Sequence, residues 1–162
     1  QVIRYKSAKY SVERPLVLGG SLAGAGPALL ACYSTYGLQL GEAFQLRDDV
    51  LGVFGDPQDT GKPAGDDLRE GKRTLLVAYA RERASAAQVA VLDALLGDHS
   101  LGTPGLDRVR EIIIATGALK RVDQLIDALA TGAAEELARA DITDEARAAL
   151  GELIGAATVR VR

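Results

Sequence analysis

The sequence predicts an all-α protein, a helical bundle of roughly six or seven helices, from three observations. Apolar residues recur at three- and four-residue spacing along most of the 162 residues. Aromatics make up only 4% of the chain, which leaves the core to Leu, Val, Ile and Ala, a mix suited to packed helices. One run, Ile112-Ile113-Ile114, has β-branched character, but helical spacing flanks it and no second β-rich run exists to pair with it.

The elements follow in order. Val2, Tyr5, Lys9 and Val12 fall near helical spacing, and Pro15 is expected to kink or end that segment. GGSLAGAG, residues 19–26, permits a turn or close helix packing, and Pro27 suits the first turn of a new helix. From Ala28 to about Phe54 the pattern reads as one long, strongly apolar central helix, buried on most sides. DPQDTGKPAGDD, residues 56–67, is expected to be a loop, since Pro57, Gly61, Pro63 and Gly65 leave no room for regular structure. Helical spacing resumes from Lys72, and Ser85 caps a further helix stopped by Gly97. Residues 98–105 form a second loop. Leu106, Val109 and Ile113 open the next helix. Val122, Leu125, Ile126 and Leu129 keep helix spacing, and Asp141 opens a last helix running to about Ile154.

Composition excludes several classes. The net charge is -3 and no basic run tracks a nucleic-acid backbone, so nucleic acid is not expected as a partner. No apolar stretch reaches the length of a membrane span. The single Cys32 forms no internal disulfide, which fits a reducing cytoplasm, and it reads as a small buried hydrophobe; His99 reads as a surface loop residue. The chain holds no Met and starts at Gln1 without a helix cap, so it is expected to be a portion of a longer single domain.

The chemistry concentrates in residues 44–74, FQLRDDVLGVFGDPQDTGKPAGDDLREGKRT. Gln45, Asp48, Asp49 and Gly52 sit at i, i+3, i+4 and i+7 on one helix face. Adjacent carboxylates on an apolar helix need a partner. The plain structural alternative is that Arg47 or Lys6 supplies it. The functional reading is a hard cation: Mg²⁺ takes one or two carboxylates plus phosphate oxygens. Lys62 and Lys72 each follow a glycine, which would let a lysine swing over a phosphate. The stretch therefore reads as a holder for a metal-bound phosphate or diphosphate. A P-loop is rejected, because five residues separate Gly65 from Gly71 and Arg73 stands where a hydroxyl is required. A calcium loop from Asp56 to Asp67 fits poorly, since Gln58 and Thr60 are weak ligands and Asp67 replaces the bidentate Glu.

FQLRDDVLGVFGD followed by GKPAGDDLREGKRT resembles the second aspartate-rich region of the trans-isoprenyl diphosphate synthases, the polyprenyl synthetases. The family pattern is F-Q-x-x-D-D-x-x-D, then G-K-x-x-G-x-D and G-K-x-T. YKSAKY matches the family's Lys-Thr pair at Lys6 and Ser7, and ATGA is similar to its C-terminal helix break. The resemblance implies the C-terminal part of the isoprenoid synthase fold, with the N-terminal half absent. It implies that Asp48 binds Mg²⁺ with Asp49 assisting, that Lys6, Lys62 and Lys72 bind the allylic diphosphate, and that Gln45 and Ser7 lie beside the allylic carbon. Asp67 is expected to order the loop. The implied reaction joins isopentenyl diphosphate to an allylic diphosphate, giving geranylgeranyl or farnesyl diphosphate, in an enzyme that is a homodimer at full length. Two departures stand out: Gly52 replaces the third aspartate, and the first aspartate-rich motif is missing. The isolated chain is thus expected to be inactive. A non-catalytic helical partner subunit is the alternative; it leaves the set Gln45, Asp48, Lys62 and Lys72 without a purpose.

Overall fold

A computed structural model describes residues 4–61 and 65–158, apart from the side chains of residues 4–7, 59 and 60. Among the described residues all regular structure is helical, in ten segments. A π-helix, Arg4–Glu13, passes into α1 (Arg14–Leu22), followed by α2 (Pro27–Phe54), α3 (Pro57–Thr60), α4 (Asp66–Arg69) and α5 (Leu75–Arg83). Then come α6 (Ala86–Leu95), α7 (Thr103–Ala115), α8 (Ala118–Arg139) and α9 (Asp144–Thr158). No helix among them is long and apolar enough to cross a membrane.

Several boundaries differ from the sequence expectation, each for a local reason. Pro15 falls in the first turn of α1, just past the point where the π-helix gives way to it, so the helical path continues through the proline. The 56–67 stretch holds two short helices. Asp56 caps α3 by accepting from the Gln58 amide at 2.8 Å, with Pro57 at the first helical position. α5 starts at Leu75 because Thr74 caps it, and α7 starts at Thr103 with Pro104 in its first turn. α9 runs on to Thr158. The expected break at 115–118 is present: Gly117 adopts φ 73°, and the Thr116 hydroxyl donates back to the Ile112 carbonyl at 2.8 Å. His99 is exposed, while Cys32 is half-buried and its thiol points to the Glu136 carbonyl at 3.4 Å.

The described residues form two compact units, one from those up to Arg47 and those from Leu125 on, the other Asp48–Gln124, so the division falls inside α2 and α8. In the first unit Tyr36, Leu40, Ala133, Leu137 and Ala157 form a buried core, with Val12, Leu16, Ile142, Leu150 and Ile154 packed on it. The Tyr36 hydroxyl donates to the Leu150 carbonyl at 2.7 Å, and burial pushes its phenol up to about 12. Gly37 and Gly41 bring the π-helix very close: a Cβ at Gly37 would stand 2.7 Å from the Glu13 Cα, and one at Gly41 would overlap the Ala8 backbone. Arg147 satisfies carbonyls at the end of α8, among them Ala140 at 2.9 Å.

In the second unit α7 packs against α5 and α6. Leu106, Val109, Ile112 and Ile113 are buried, whereas Ile114 is 58% exposed. That alternation settles the Ile run as one face of a helix, since a strand would bury Ile112 and Ile114 together. Arg110 ends α2: its Nε donates to the Val53 carbonyl at 2.8 Å and its guanidinium lies over the Phe54 ring.

Candidate active site

The acidic face lies on the second half of α2. Gln45, Asp48 and Gly52 stack on one side of the helix and all three are half-buried. Asp49, one residue on and so rotated by about 100°, is only 7% exposed. Helix geometry thus separates the neighbours: Asp48 meets solvent, while Asp49 faces inward. Among the described residues the Asp48 carboxylate has no ion pair. Arg47, the partner considered for these carboxylates, is itself buried and its Nε donates to the Thr158 carbonyl at 2.9 Å.

Gly52 is where this face receives a group from elsewhere in the sequence. α4 starts from Gly65, which holds φ 82° and donates its amide to the Gly52 carbonyl at 3.1 Å. This clamp brings the Asp67 carboxylate against α2, so that a Cβ on residue 52 would stand 2.5 Å from Asp67 Oδ2. The other oxygen, Oδ1, accepts from Lys72 Nζ at 2.5 Å, and Glu70 accepts from the same ammonium at 3.1 Å. The Lys72 amide also donates to the Asp67 carbonyl at 2.9 Å. The hydrogen bond to Asp67, opposed by slight desolvation and reinforced by Glu70, holds the Lys72 ammonium up at about 12.

The glycine before Lys72 sits in a tight turn. Gly71 holds φ 65°, and a Cβ there would stand 3.1 Å from the Gly97 Cα. The Gly97 amide donates to the Leu68 carbonyl at 2.9 Å. The turn thus packs against Gly97, and the Lys72 side chain beyond it is half-exposed. Lys6 and Ser7 fall in the π-helix with side chains outside the described residues, and Lys62 lies wholly outside them.

The donors present fit Mg²⁺. No cluster of three or more acidic, His or Cys side chains suited to a metal occurs among the described residues. Magnesium bound to a phosphate needs only one or two carboxylates, with phosphate and water completing its shell. A partly exposed Asp48 on a rigid helix, beside a slot holding a second carboxylate, meets that need. Sequence reasoning missed two features. Asp67 reaches Gly52 from fifteen residues away along the chain, and only the absence of a side chain at 52 hinted at a visitor. Glu13 is buried and accepts from the Ser34 hydroxyl at 2.8 Å; nothing in the spacing of the two announced that pair.

Comparison with known proteins gives a consistent picture. Residues 1–113 match the family model for polyprenyl synthetase. A geranylfarnesyl diphosphate synthase of Aeropyrum pernix is 42% identical over 108 residues, covering 67% of this chain and 33% of that protein. A (2E,6E)-farnesyl diphosphate synthase of Mycobacterium bovis is 32% identical over 139 residues, covering 84% of this chain and 39% of its own length. The structure superposes on a geranylgeranyl pyrophosphate synthase from Corynebacterium glutamicum, complexed with isoprenyl diphosphate and magnesium. The TM-score there is 0.94 at 46% identity, covering 98% of this chain and 45% of that one. A polyprenyl synthase from Caulobacter crescentus, complexed with calcium and isoprenyl diphosphate, gives a TM-score of 0.86 at 35% identity, covering 99% and 48%. The chain spans about a third of the length of these sequence relatives and about half of the two structures. On the family match, and on an all-helical fold shared with prenyl synthases over nearly its whole length, the chain belongs to the polyprenyl synthetase family.

Proposed function

We propose that this chain carries the part of a trans-prenyl diphosphate synthase that grips the diphosphate of the allylic substrate. The observation supporting this most strongly is the convergence on one face of α2: a partly exposed Asp48, with Lys72 drawn beside Gly52 by Asp67. Asp48 would hold Mg²⁺ with Asp49 assisting, and bound Mg²⁺ would supply positive charge to the diphosphate oxygens. Lys6, Lys62 and Lys72 bind the diphosphate and neutralise the charge that grows on it as the allylic C–O bond breaks. Each such fixed charge contributes about 2 to 4 kcal/mol to a transition state of this kind. Gln45 and Ser7 present oxygens to the allylic carbon, where positive charge develops. Isopentenyl diphosphate then attacks that carbon and a proton is lost, giving a longer diphosphate of the farnesyl or geranylgeranyl class. The whole enzyme acts as a homodimer in the cytoplasm, and residues 1–162 form the C-terminal portion of its single helical domain.

Prenyl transfer tests the reading, with Mg²⁺, isopentenyl diphosphate and an allylic diphosphate supplied to this chain and to a form extended to the length of its relatives. Turnover is expected only in the extended form, with loss on Asp48→Asn or Lys72→Ala. No turnover in either form would overturn the assigned activity, and turnover by the 162 residues would overturn the inactivity of the portion alone.

A further inference from the structure

We propose that Asp67 couples the acidic helix to the lysine loop: its carboxylate keeps Lys72 paired in the free protein and gives Lys72 up to the diphosphate once a divalent cation is held on α2. The inference deepens the diphosphate-site reading above and rests on it.

The geometry carries it. Gly52 lies one helical turn beyond Asp48, so the Cβ position of residue 52 is about 6 Å from that of Asp48 on the same face. Asp67 fills that position from outside the helix, with Oδ2 2.5 Å from the missing Cβ. Two carboxylates at such spacing repel unless a cation answers them, and for Asp67 that cation is Lys72 at 2.5 Å. The two partners are unequally free to move. The Asp67 side chain is 14% exposed and its helix is tied by the Gly65-to-Gly52 and Lys72-to-Asp67 backbone bonds, whereas the Lys72 side chain is 49% exposed. When partners change, the ammonium is the group that leaves.

With a divalent cation held by Asp48, Asp67 would share its charge with that cation and hold Lys72 less tightly. The released ammonium has three donors for phosphate oxygens. Until then Lys72 is neutralised by Asp67 and Glu70, so an anion arriving without metal finds that charge already spent. Binding of metal and of diphosphate is thereby linked, and by thermodynamic necessity in both directions. Gly52 is part of the device, because any side chain there would expel the Asp67 carboxylate from the slot.

Two measurements on this chain decide it. In the first, acetylation of Lys72 is followed by mass spectrometry with the exposed Lys120 as internal standard. Mg²⁺ alone is expected to raise Lys72 labelling about threefold or more in the unmodified chain, and to leave it unchanged in Asp67→Asn, where labelling is fast from the start. In the second, calorimetry of inorganic pyrophosphate with and without Mg²⁺ is expected to show the Mg²⁺ enhancement about tenfold smaller in Asp67→Asn, with metal-free affinity equal or tighter. Lys72 labelling that ignores Mg²⁺ in the unmodified chain overturns the proposal without any variant. So does an Asp67→Asn protein that keeps the full enhancement, or one that loses both affinities alike, the mark of a merely structural role. Asp48→Asn separates the two levels: an enhancement that survives this change refutes the diphosphate-site reading itself, whatever Asp67 does.

Discussion

Helix α2 uses glycine in two opposite ways. At Gly37 and Gly41 the missing side chains let the backbone of the π-helix approach almost to contact, at Glu13 and Ala8, both buried. At Gly52 the missing side chain admits a carboxylate from α4, and the surroundings are charged and partly exposed. The first arrangement sets backbone against backbone. The second places ionisable groups within reach of solvent, at a spacing that is comfortable only while cations balance it. Substitutions along this one helix should therefore divide into those that unfold the protein and those that leave it folded but disarmed.

Gly41→Val tests the first class hardest. Its side chain would overlap the Ala8 backbone, which cannot give way as a flexible side-chain tip can. A loss of about 3 kcal/mol or more is expected in urea unfolding, at the upper end for overpacking. A neutral result would contradict the close approach of the π-helix.

Alkaline titration distinguishes the regions next. The Tyr36 phenol is raised to about 12, so its contribution is fully present below the unfolded value of 10 and is lost as pH rises through 12. That loss is on the order of 2 kcal/mol by pH 12, and it should vanish in Tyr36→Phe, which itself costs about 1 kcal/mol at neutral pH. If the two proteins lose stability in parallel above pH 10, the Tyr36 phenol is not raised in the folded protein.

How much of this was legible in the sequence follows the same division. The acidic face of α2 is local, since three- and four-residue spacing places Gln45, Asp48 and Gly52 together whatever surrounds them. The all-helical class and the capping by Ser85 were legible for the same reason, whereas the break at Gly117 was expected only from the family resemblance of ATGA. The short helices α3 and α4 were not legible: α3 rests on the single cap Asp56, α4 starts from Gly65 with no side-chain cap, and the glycine and proline content around both reads as loop. Asp67 meeting Gly52, Arg110 meeting Val53 and Glu13 meeting Ser34 depend on tertiary placement, and nothing periodic encodes them.

Gly52→Ala sharpens the comparison from the other side. A methyl there pushes on a carboxylate, not on backbone, so about 1 kcal/mol or less of stability should be lost. The Asp67–Lys72 pair should nonetheless be displaced, and Mg²⁺-dependent pyrophosphate binding should fall several-fold. Strong destabilisation with intact binding would reverse the roles assigned to the two glycine positions.

The smallest effect concerns Lys72. Its raised value means that its pairing energy is fully present below 10.5 and is lost as pH rises through about 12. The ammonium is half-exposed and screened, so less than about 1 kcal/mol is at stake, visible only as the difference between the unmodified chain and Asp67→Asn in matched denaturant titrations. A larger difference would mean that Asp67 supports the fold beyond its pairing with Lys72.

The most direct test of a metal-assisted diphosphate site on α2 is calorimetric titration of inorganic pyrophosphate into this chain and its Asp48→Asn variant, with and without Mg²⁺. The expected result is that Mg²⁺ tightens binding about tenfold or more in the unmodified chain and by less than about twofold in Asp48→Asn, a carboxylate lost at partial exposure with the fold intact. Equal Mg²⁺ enhancement in the two proteins would contradict the assignment of Asp48 and move the site elsewhere.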